Sequence, residues 1–251
     1  MRYVLAFLLI VGTPMAAHSQ SETDLVRKAY IEAIATNPTK EQLERKARSE
    51  AVLHDLGVPV LDSLPVIADE ARSTRRTSRA VAERALALMI VAVKGETRDQ
   101  ALVDTVIGQY DAADLFTPQE QVFIEDPEPA EDVLISMSWR YESVAVLLWS
   151  IGLIEDLPAT DQIIPAGDLG NIFRQLGPEG LYAAANLRPQ SELLDAADLA
   201  YRINWAATDA RVNALPAPAG VDPSIAFERH YAFNWLYGYA GLAWDDMKTD
   251  I

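Results

Sequence analysis

Residues 193–211, LLDAADLAYRINWAATDAR, limit how this chain can fold more than any other segment. The stretch has helical periodicity, and stepping it at about 100° per residue gives two apolar faces with a charged wedge between them. The wedge consists of Asp195, Asp198, Arg202 and Asp209. Charges bordered by apolar surface on both sides do not fit a solvated helix back, so we expect them to lie inside the fold.

The spacing within this wedge also predicts a specific contact. Asp198 and Arg202 stand at i and i+4, neighbouring positions on a helix surface, and are therefore expected to form a buried ion pair. The solvated side of the helix is predicted to be a small arc, made of Ala196, Ala200, Ala207 and Arg211.

Two other segments combine apolar character with charge. Residues 139–153, WRYESVAVLLWSIGL, are apolar nearly all round and predict a central helix, with Arg140 and Glu142 as a structural ion pair in its first turns. Residues 227–239, FERHYAFNWLYGY, are rich in aromatic residues, and the spacing of His230, Asn234 and Tyr237 predicts a hydrogen-bonded row. Together these segments predict a core lined with aromatic side chains and ion pairs.

The rest of the chain alternates helical patterns with Pro and Gly breakers. Thr39 with Gln42 predicts a capped helix over 39–56, and Thr117-Pro118-Gln119-Glu120 predicts another helix start. Further helices are predicted over 22–36, 71–93 and 224–242, and loops over 126–131, 155–168, 176–180 and 214–223. The sequence therefore predicts an all-α fold with at most a few short strands, at 58–60 or 162–164, and one globular multi-helix domain over 20–251.

The N-terminus has the three parts of a secretory signal peptide. Arg2 precedes the apolar run 3–12, and Ala17-His18-Ser19 supplies small residues for cleavage, so residues 1–19 are predicted to be removed on export. The predicted location is periplasmic or extracellular. No later segment has about 18 uninterrupted apolar residues, so no stable membrane anchor is predicted.

Charge is unevenly distributed along the chain. Residues 20–98 carry 13 Lys and Arg against 12 Asp and Glu, whereas residues 99–251 carry 7 against 25. This acidic body disfavours nucleic acid and anionic membranes as partners and is compatible with cations, a basic partner or simple solubility. A basic stripe is expected on the helix 71–93, docking on the acidic remainder and formed by Arg72, Arg75, Arg76 and Arg79.

No cofactor and no metal site are predicted. The chain lacks the GxSxG, Walker A, GxGxxG and HExxH motifs and has no cysteine. Asp245, Asp246 and Asp250 form an oxygen-rich cluster that a hard cation could use, but EF-hand spacing is absent and solvated acids are the favoured interpretation.

Several long blocks carry a family resemblance. WRYESVAVLLWSIGL, LRPQSELLDAADLAYRINWAATDAR, FERHYAFNWLYGY and WDDMKTD resemble, in this order, the bacterial family called domain of unknown function 4272, with further likeness in RALALMIVAV. The resemblance covers about residues 72–250. It implies a mostly helical domain and carries over no activity and no functional residues.

Two hypotheses of function remain. The favoured one is a noncatalytic exported helical domain that acts through contacts with a protein partner. The alternative is a hydrolase or transferase that uses carboxylates. Its acid, base or assisting groups would be Asp198, Glu228 and His230, and its substrate-binding groups Arg140, Arg202 and Asn234. A pocket joining these residues would favour the enzyme, whereas sealed and fully paired side chains would remove its basis.

Overall fold

The chain folds into α-helices that begin at capping residues and end at helix breakers. A computed structural model describes the backbone of residues 15–249 and the side chains of residues 23–249. These residues form no strand, so neither predicted strand is present. The helices are α1 Met15–Ala35, α2 Lys40–Leu56, α3 Ser78–Thr97, α4 Gln100–Tyr110, α5 Pro118–Glu125, α6 Glu131–Ser138, α7 Arg140–Ser150, α8 Ala166–Ala184, α9 Gln190–Val212 and α10 Pro223–Leu236. The predicted all-α fold is confirmed. The predicted signal peptide, 1–19, lies outside the residues whose side chains are described.

The strongest helix signals act as predicted. Thr39 and Gln42 form a reciprocal capping box at the start of α2, and Gly57 ends that helix in the left-handed conformation, with φ 71°. Thr117 caps α5 in the same way. In the described part of the chain, no helix combines the length and hydropathy that a bilayer crossing needs.

The apolar helix α7 lies at the centre of the fold, as predicted. Every side chain from Tyr141 to Ser150 is buried. Helix α3 packs along α7 and α6, α10 packs on α7 and α9, and α2 covers α9 from outside. This arrangement puts both flanks of α9 against other helices, which explains why Asp198 and Arg202 are enclosed. The prediction is wrong for the other two charges of the wedge, because the Asp195 side chain is 43% exposed and Asp209 is exposed.

The prediction that four residues of α9 form its solvent-exposed side is wrong. Ala207 is only 2% exposed, and Ala196 and Ala200 are half-buried, so of the four only Arg211 is exposed. Ala196 and Ala200 line a cavity whose other walls include loop residues 157–161 and Val221, so they do not form an open helix back.

The prediction of a stripe of four arginines on one helix is also wrong. Thr77 caps α3, so the helix begins at Ser78 and contains only Arg79 of the four arginines. Residues 74–77 carry no regular structure, and from this segment Arg75 and Arg76 donate to backbone carbonyl groups of Leu187, Arg188 and Trp235.

Two further element boundaries differ from prediction. Residues 176–180 do not form a separate loop but a kink inside α8, where Gly177 has a φ of 63°. Helix α10 stops at Leu236 because Gly238 turns left-handed, with φ 74°. A Cβ at Gly238 would lie 2.6 Å from Thr74 Cβ, so the close approach of segment 74–77 also requires a glycine here.

Replacing Gly95 with Ala is expected to destabilise the domain by about 1–3 kcal/mol. Gly95 lies where α3 meets α6, and a Cβ there would be 2.6 Å from Ser138 N and 2.8 Å from Leu134 O. Both are backbone atoms that cannot rotate away, so the helices must separate. Urea unfolding measures the change.

Gly108 provides the matched control. It lies in α4, is exposed, and a Cβ there would meet nothing within 4 Å. Gly108→Ala is expected to leave stability unchanged or raise it by about 0.5–1 kcal/mol, because alanine loses less entropy in a helix. Equal effects at the two glycines would contradict the close packing of α3 on α6.

Candidate functional site

Asp198 and Arg202 form the buried ion pair that the sequence predicts. Arg202 Nε lies 2.8 Å from Asp198 Oδ2 and Nη2 lies 3.0 Å from Oδ1, so the contact is bidentate. The two side chains are 1% and 2% exposed. Arg202 also donates to Pro65 O at 3.2 Å, so the pair fixes the segment that follows α2 against α9.

The predicted pair between Arg140 and Glu142 is wrong. Residues two positions apart on a helix point in different directions, so each side chain finds its partner on α10 instead. Arg140 Nη1 lies 3.1 Å from both carboxylate oxygens of Glu228. Glu142 Oε2 accepts from Arg229 at 3.0 Å and 2.9 Å. The two ion pairs therefore join α7 to α10.

The Glu142–Arg229 pair also holds the loop between α7 and α8. Glu142 Oε1 accepts from Ile164 N at 2.8 Å, and Arg229 Nη1 donates to Pro158 O at 2.5 Å. Both carboxylate oxygens of Glu142 thus have partners although the side chain is 1% exposed. A buried carboxylate with these contacts is structural.

Glu228 is equally well satisfied. Besides Arg140, it accepts from Ser143 Oγ at 2.7 Å. Burial is the largest single effect and opposes the charge on Arg140, but Glu228, Tyr231 and Glu120 together outweigh it, so the pKa of Arg140 is raised.

Aromatic rings enclose the guanidinium group of Arg140. It lies 5.0 Å from the Tyr231 ring and 5.9 Å from the Trp244 ring, within cation–π range. Trp244 is 4% exposed, and its carbonyl oxygen accepts from the Tyr231 hydroxyl. The C-terminal segment therefore completes the wall around this ion pair.

His230 lies apart from the carboxylates, in a small cavity walled by tyrosines. Its Nδ1 is 3.0 Å from Asn204 Nδ2, a partner on α9 that the predicted row did not include, and Asn234 lies beside it in the cavity wall. The cavity measures about 50 Å³, and Tyr237, the third predicted member, lies in its wall. Asn234 donates to Lys248 O at 2.8 Å.

Burial keeps the imidazole of His230 neutral, which predicts a pH dependence of stability. Its pKa is lowered to about 3, whereas an unfolded histidine titrates near about 6.5. The unfolded chain alone binds the proton between these values, so acid favours unfolding. Between about pH 7 and pH 5, the protein should lose about 2 kcal/mol more stability than His230→Gln loses.

Urea unfolding at the two pH values checks this difference. His54→Gln is the control, because His54 is exposed on α2, and this variant should follow the unchanged protein. Parallel losses in the protein and in His230→Gln would contradict the enclosed, neutral histidine.

The predicted site residues form three sets with separate partners. Asp198 and Arg202 bind each other, Arg140 binds Glu228, and the third set is His230 with Asn234. Glu228 alone of the predicted acids lines a polar cleft of about 290 Å³, together with Ser136, Trp139, Asn204, Thr208, Arg211, Pro223, Ser224 and Phe227.

Sequence reasoning missed residues that join these sets to the fold. Asn204 contacts His230 and also lines the polar cleft. The only sequence feature that could have indicated Asn204 is that it is a polar residue between two apolar residues of α9. Arg84 and Glu120 form another buried pair at 2.5 Å. Glu120 had been assigned to its helix cap alone, a role that it also fills.

One of the C-terminal acids, Asp245, contacts a helix end. Asp245 Oδ2 accepts from Gln119 N at 3.1 Å, in the first turn of α5 where negative charge is favourable. Among the described residues, no three His, Cys, Asp or Glu side chains are placed to hold a metal ion. Asp250 lies outside those residues.

Comparison with known families gives one match. A model described as Domain of unknown function (DUF4272) matches residues 45–247. Comparison with curated proteins and with solved structures gives none. The matched range contains all the ion pairs of α7, α9 and α10 described above.

Proposed function

Because the chain belongs to the DUF4272 family, whose description carries no activity, we propose from its own geometry that it is a noncatalytic exported helical domain acting through protein contacts. The observation that carries the proposal is the mutual pairing of the candidate groups. Both oxygens of Asp198 bind Arg202, and both oxygens of Glu228 bind Arg140. An acid or base needs access to a substrate proton, and these carboxylates are already occupied.

Export and the nature of the partner are parts of the same proposal. The N-terminal pattern of Arg2, the apolar run 3–12 and Ala17-His18-Ser19 supports a periplasmic or extracellular location. The excess of acids in residues 99–251 favours a basic protein surface over nucleic acid as the partner.

One observation favours the alternative, a hydrolase or transferase that uses carboxylates. Glu228 lines the polar cleft together with Asn204, Thr208 and Arg211. An anionic substrate there could contact Arg211 and approach Glu228. The enzyme hypothesis therefore requires Glu228 to be reachable from solvent in the native protein.

Labelling of carboxyl groups separates the two hypotheses. The native protein is treated with a carbodiimide and an amine, and the rate at each acid is followed by mass spectrometry. Glu228 and Asp198 are expected to react at least about tenfold more slowly than the exposed Glu128 and Asp55, because they react only through local opening. Labelling of Glu228 at the rate of Glu128 would reject the noncatalytic proposal and favour the enzyme.

A further inference from the structure

A cavity of about 450 Å³ lies between α9, α10 and nearby loops, and of the ion-paired residues described above only Arg229 lines it. Ligand pockets for small molecules commonly measure about 300–1,000 Å³ and are mostly apolar. This cavity meets both conditions. Its apolar lining includes Leu56, Val58, Trp149, Leu157, Leu199, Ile203, Val221 and Phe233.

The cavity exists because small side chains stand where larger ones would fill it. Ala196 and Ala200 form its wall on α9, and Ala226 lies opposite on α10. The bulky neighbours Leu199 and Ile203 stand on the same side of α9, at i+3 and i+7 from Ala196. The half-buried alanines of α9 are therefore part of a concave apolar surface that nothing in the described residues covers.

The cations at this cavity already have partners. Arg229 lines it, but its guanidinium group is held by Glu142 at 2.9 Å. Arg188 lies over the Trp149 ring at 4.6 Å and pairs with Glu192 at 2.7 Å. A ligand with a negative charge would therefore find no unpaired cation among the described residues of the wall.

The lining contains one carboxylate, on its solvent-exposed side. Asp161 is exposed and has no ion-pair partner among the residues that the structure describes. The loop over 151–165 that supplies Asp161 also carries Glu155 and Asp156 and has no Lys, Arg or His. The local charge is thus complementary to a cation.

We propose that this cavity binds a small apolar molecule with a cationic end group, of the alkylammonium class. The apolar body packs between Ala200, Ile203 and Phe233, and the ammonium group faces Asp161 at the mouth. Burial of the apolar body supplies most of the affinity, and the exposed carboxylate selects the charge of the head group. This site is separate from the proposed protein contact and does not depend on it.

Three probes with the same tail test the proposal, namely octylammonium, 1-octanol and octanoate, each titrated into the purified protein by calorimetry. The expected order of affinity is octylammonium, then octanol, then octanoate. Asp161→Asn should weaken octylammonium binding by about two- to fivefold, the effect of one exposed charge, and leave octanol binding unchanged. Asp55→Asn, at an exposed acid on α2, is the matched control and should change nothing.

Variants that fill the cavity provide a second test of the proposed binding site. Ala200→Phe should reduce the binding of all three probes by at least about tenfold, because the ring occupies the space of the tail. Ala159→Phe fills the same cavity from the exposed loop. This second variant is used if Ala200→Phe does not fold. Ala101→Phe, on the exposed side of α4, should bind like the unchanged protein.

Four results would overturn the proposal. These are undetectable octylammonium binding, equal affinity for the three probes, a preference for octanoate, and binding that survives both cavity-filling variants. A dimer of this chain that dissociates in Ala200→Phe would instead identify the cavity as a contact between copies.

Discussion

Replacing Arg229 with Met is expected to lower the free energy of unfolding by about 3–5 kcal/mol, because Glu142 is left charged and unpaired in the core. Glu142 is 1% exposed and would keep only Ile164 N as a partner. The loop between α7 and α8 would also lose the bond from Arg229 to Pro158 O. For a domain of this size the melting temperature should fall by about 6–20 °C.

A second variant separates the unpaired charge from the loss of packing. In Glu142→Gln combined with Arg229→Met, neither of these two positions carries a buried charge, so much of the lost stability should return. Arg211→Met is the control, since Arg211 is exposed on α9. A fall in melting temperature no larger than that of Arg211→Met would contradict a pair that holds α7 to α10.

Asp198→Asn is expected to cost a similar amount, about 3–5 kcal/mol, because the buried cation Arg202 would keep only a longer contact with Glu50 as its negative partner. The Arg202 side chain is 2% exposed, and the nearest oxygen of Glu50 is 3.6 Å away, beyond hydrogen-bond distance. Removing the charge of Asp198 therefore leaves no carboxylate in hydrogen-bond contact with Arg202. Thermal unfolding followed by circular dichroism measures the loss.

Asp209→Asn is the matched control for this variant. It makes the same chemical change on the same helix, but Asp209 is exposed, and its carboxylate accepts only a local bond from Asn213 at 3.1 Å. Its effect should stay within about 0.5 kcal/mol. Similar melting temperatures for Asp198→Asn and Asp209→Asn would show that the buried pair contributes little.

Local contacts could be predicted from the sequence, and contacts between helices could not. Asp198 and Arg202 were paired correctly because an i, i+4 contact depends only on the helix that carries both. The partners of Arg140 and Glu142 lie 88 and 87 residues away on α10, so their identity depends on how α7 packs against that helix. The expected contact within α7 was wrong for this reason.

The positions of alanine and arginine residues in the sequence were the least useful for predicting which helix faces are buried and where helices begin. Alanine fits both a solvated and a packed helix face, so periodicity could not show that Ala196 and Ala200 would form one wall of a cavity. The arginines before α3 looked like a helical stripe because several residues there can cap a helix, and only the fold selects Thr77. The helix caps at Thr39 and Thr117 were predictable since each lies within four residues of its partners.

The enclosure of Arg140 by Trp244 also constrains the order in which the protein can be made and folded. Trp244 and Met247 are 4% and 3% exposed, so both are core residues although they lie far along the chain from Arg140. A growing chain cannot complete the wall around the Arg140–Glu228 pair until residues 244–247 have been synthesised. Until then, Arg140 and Glu228 lack part of the aromatic enclosure that separates them from water in the folded domain.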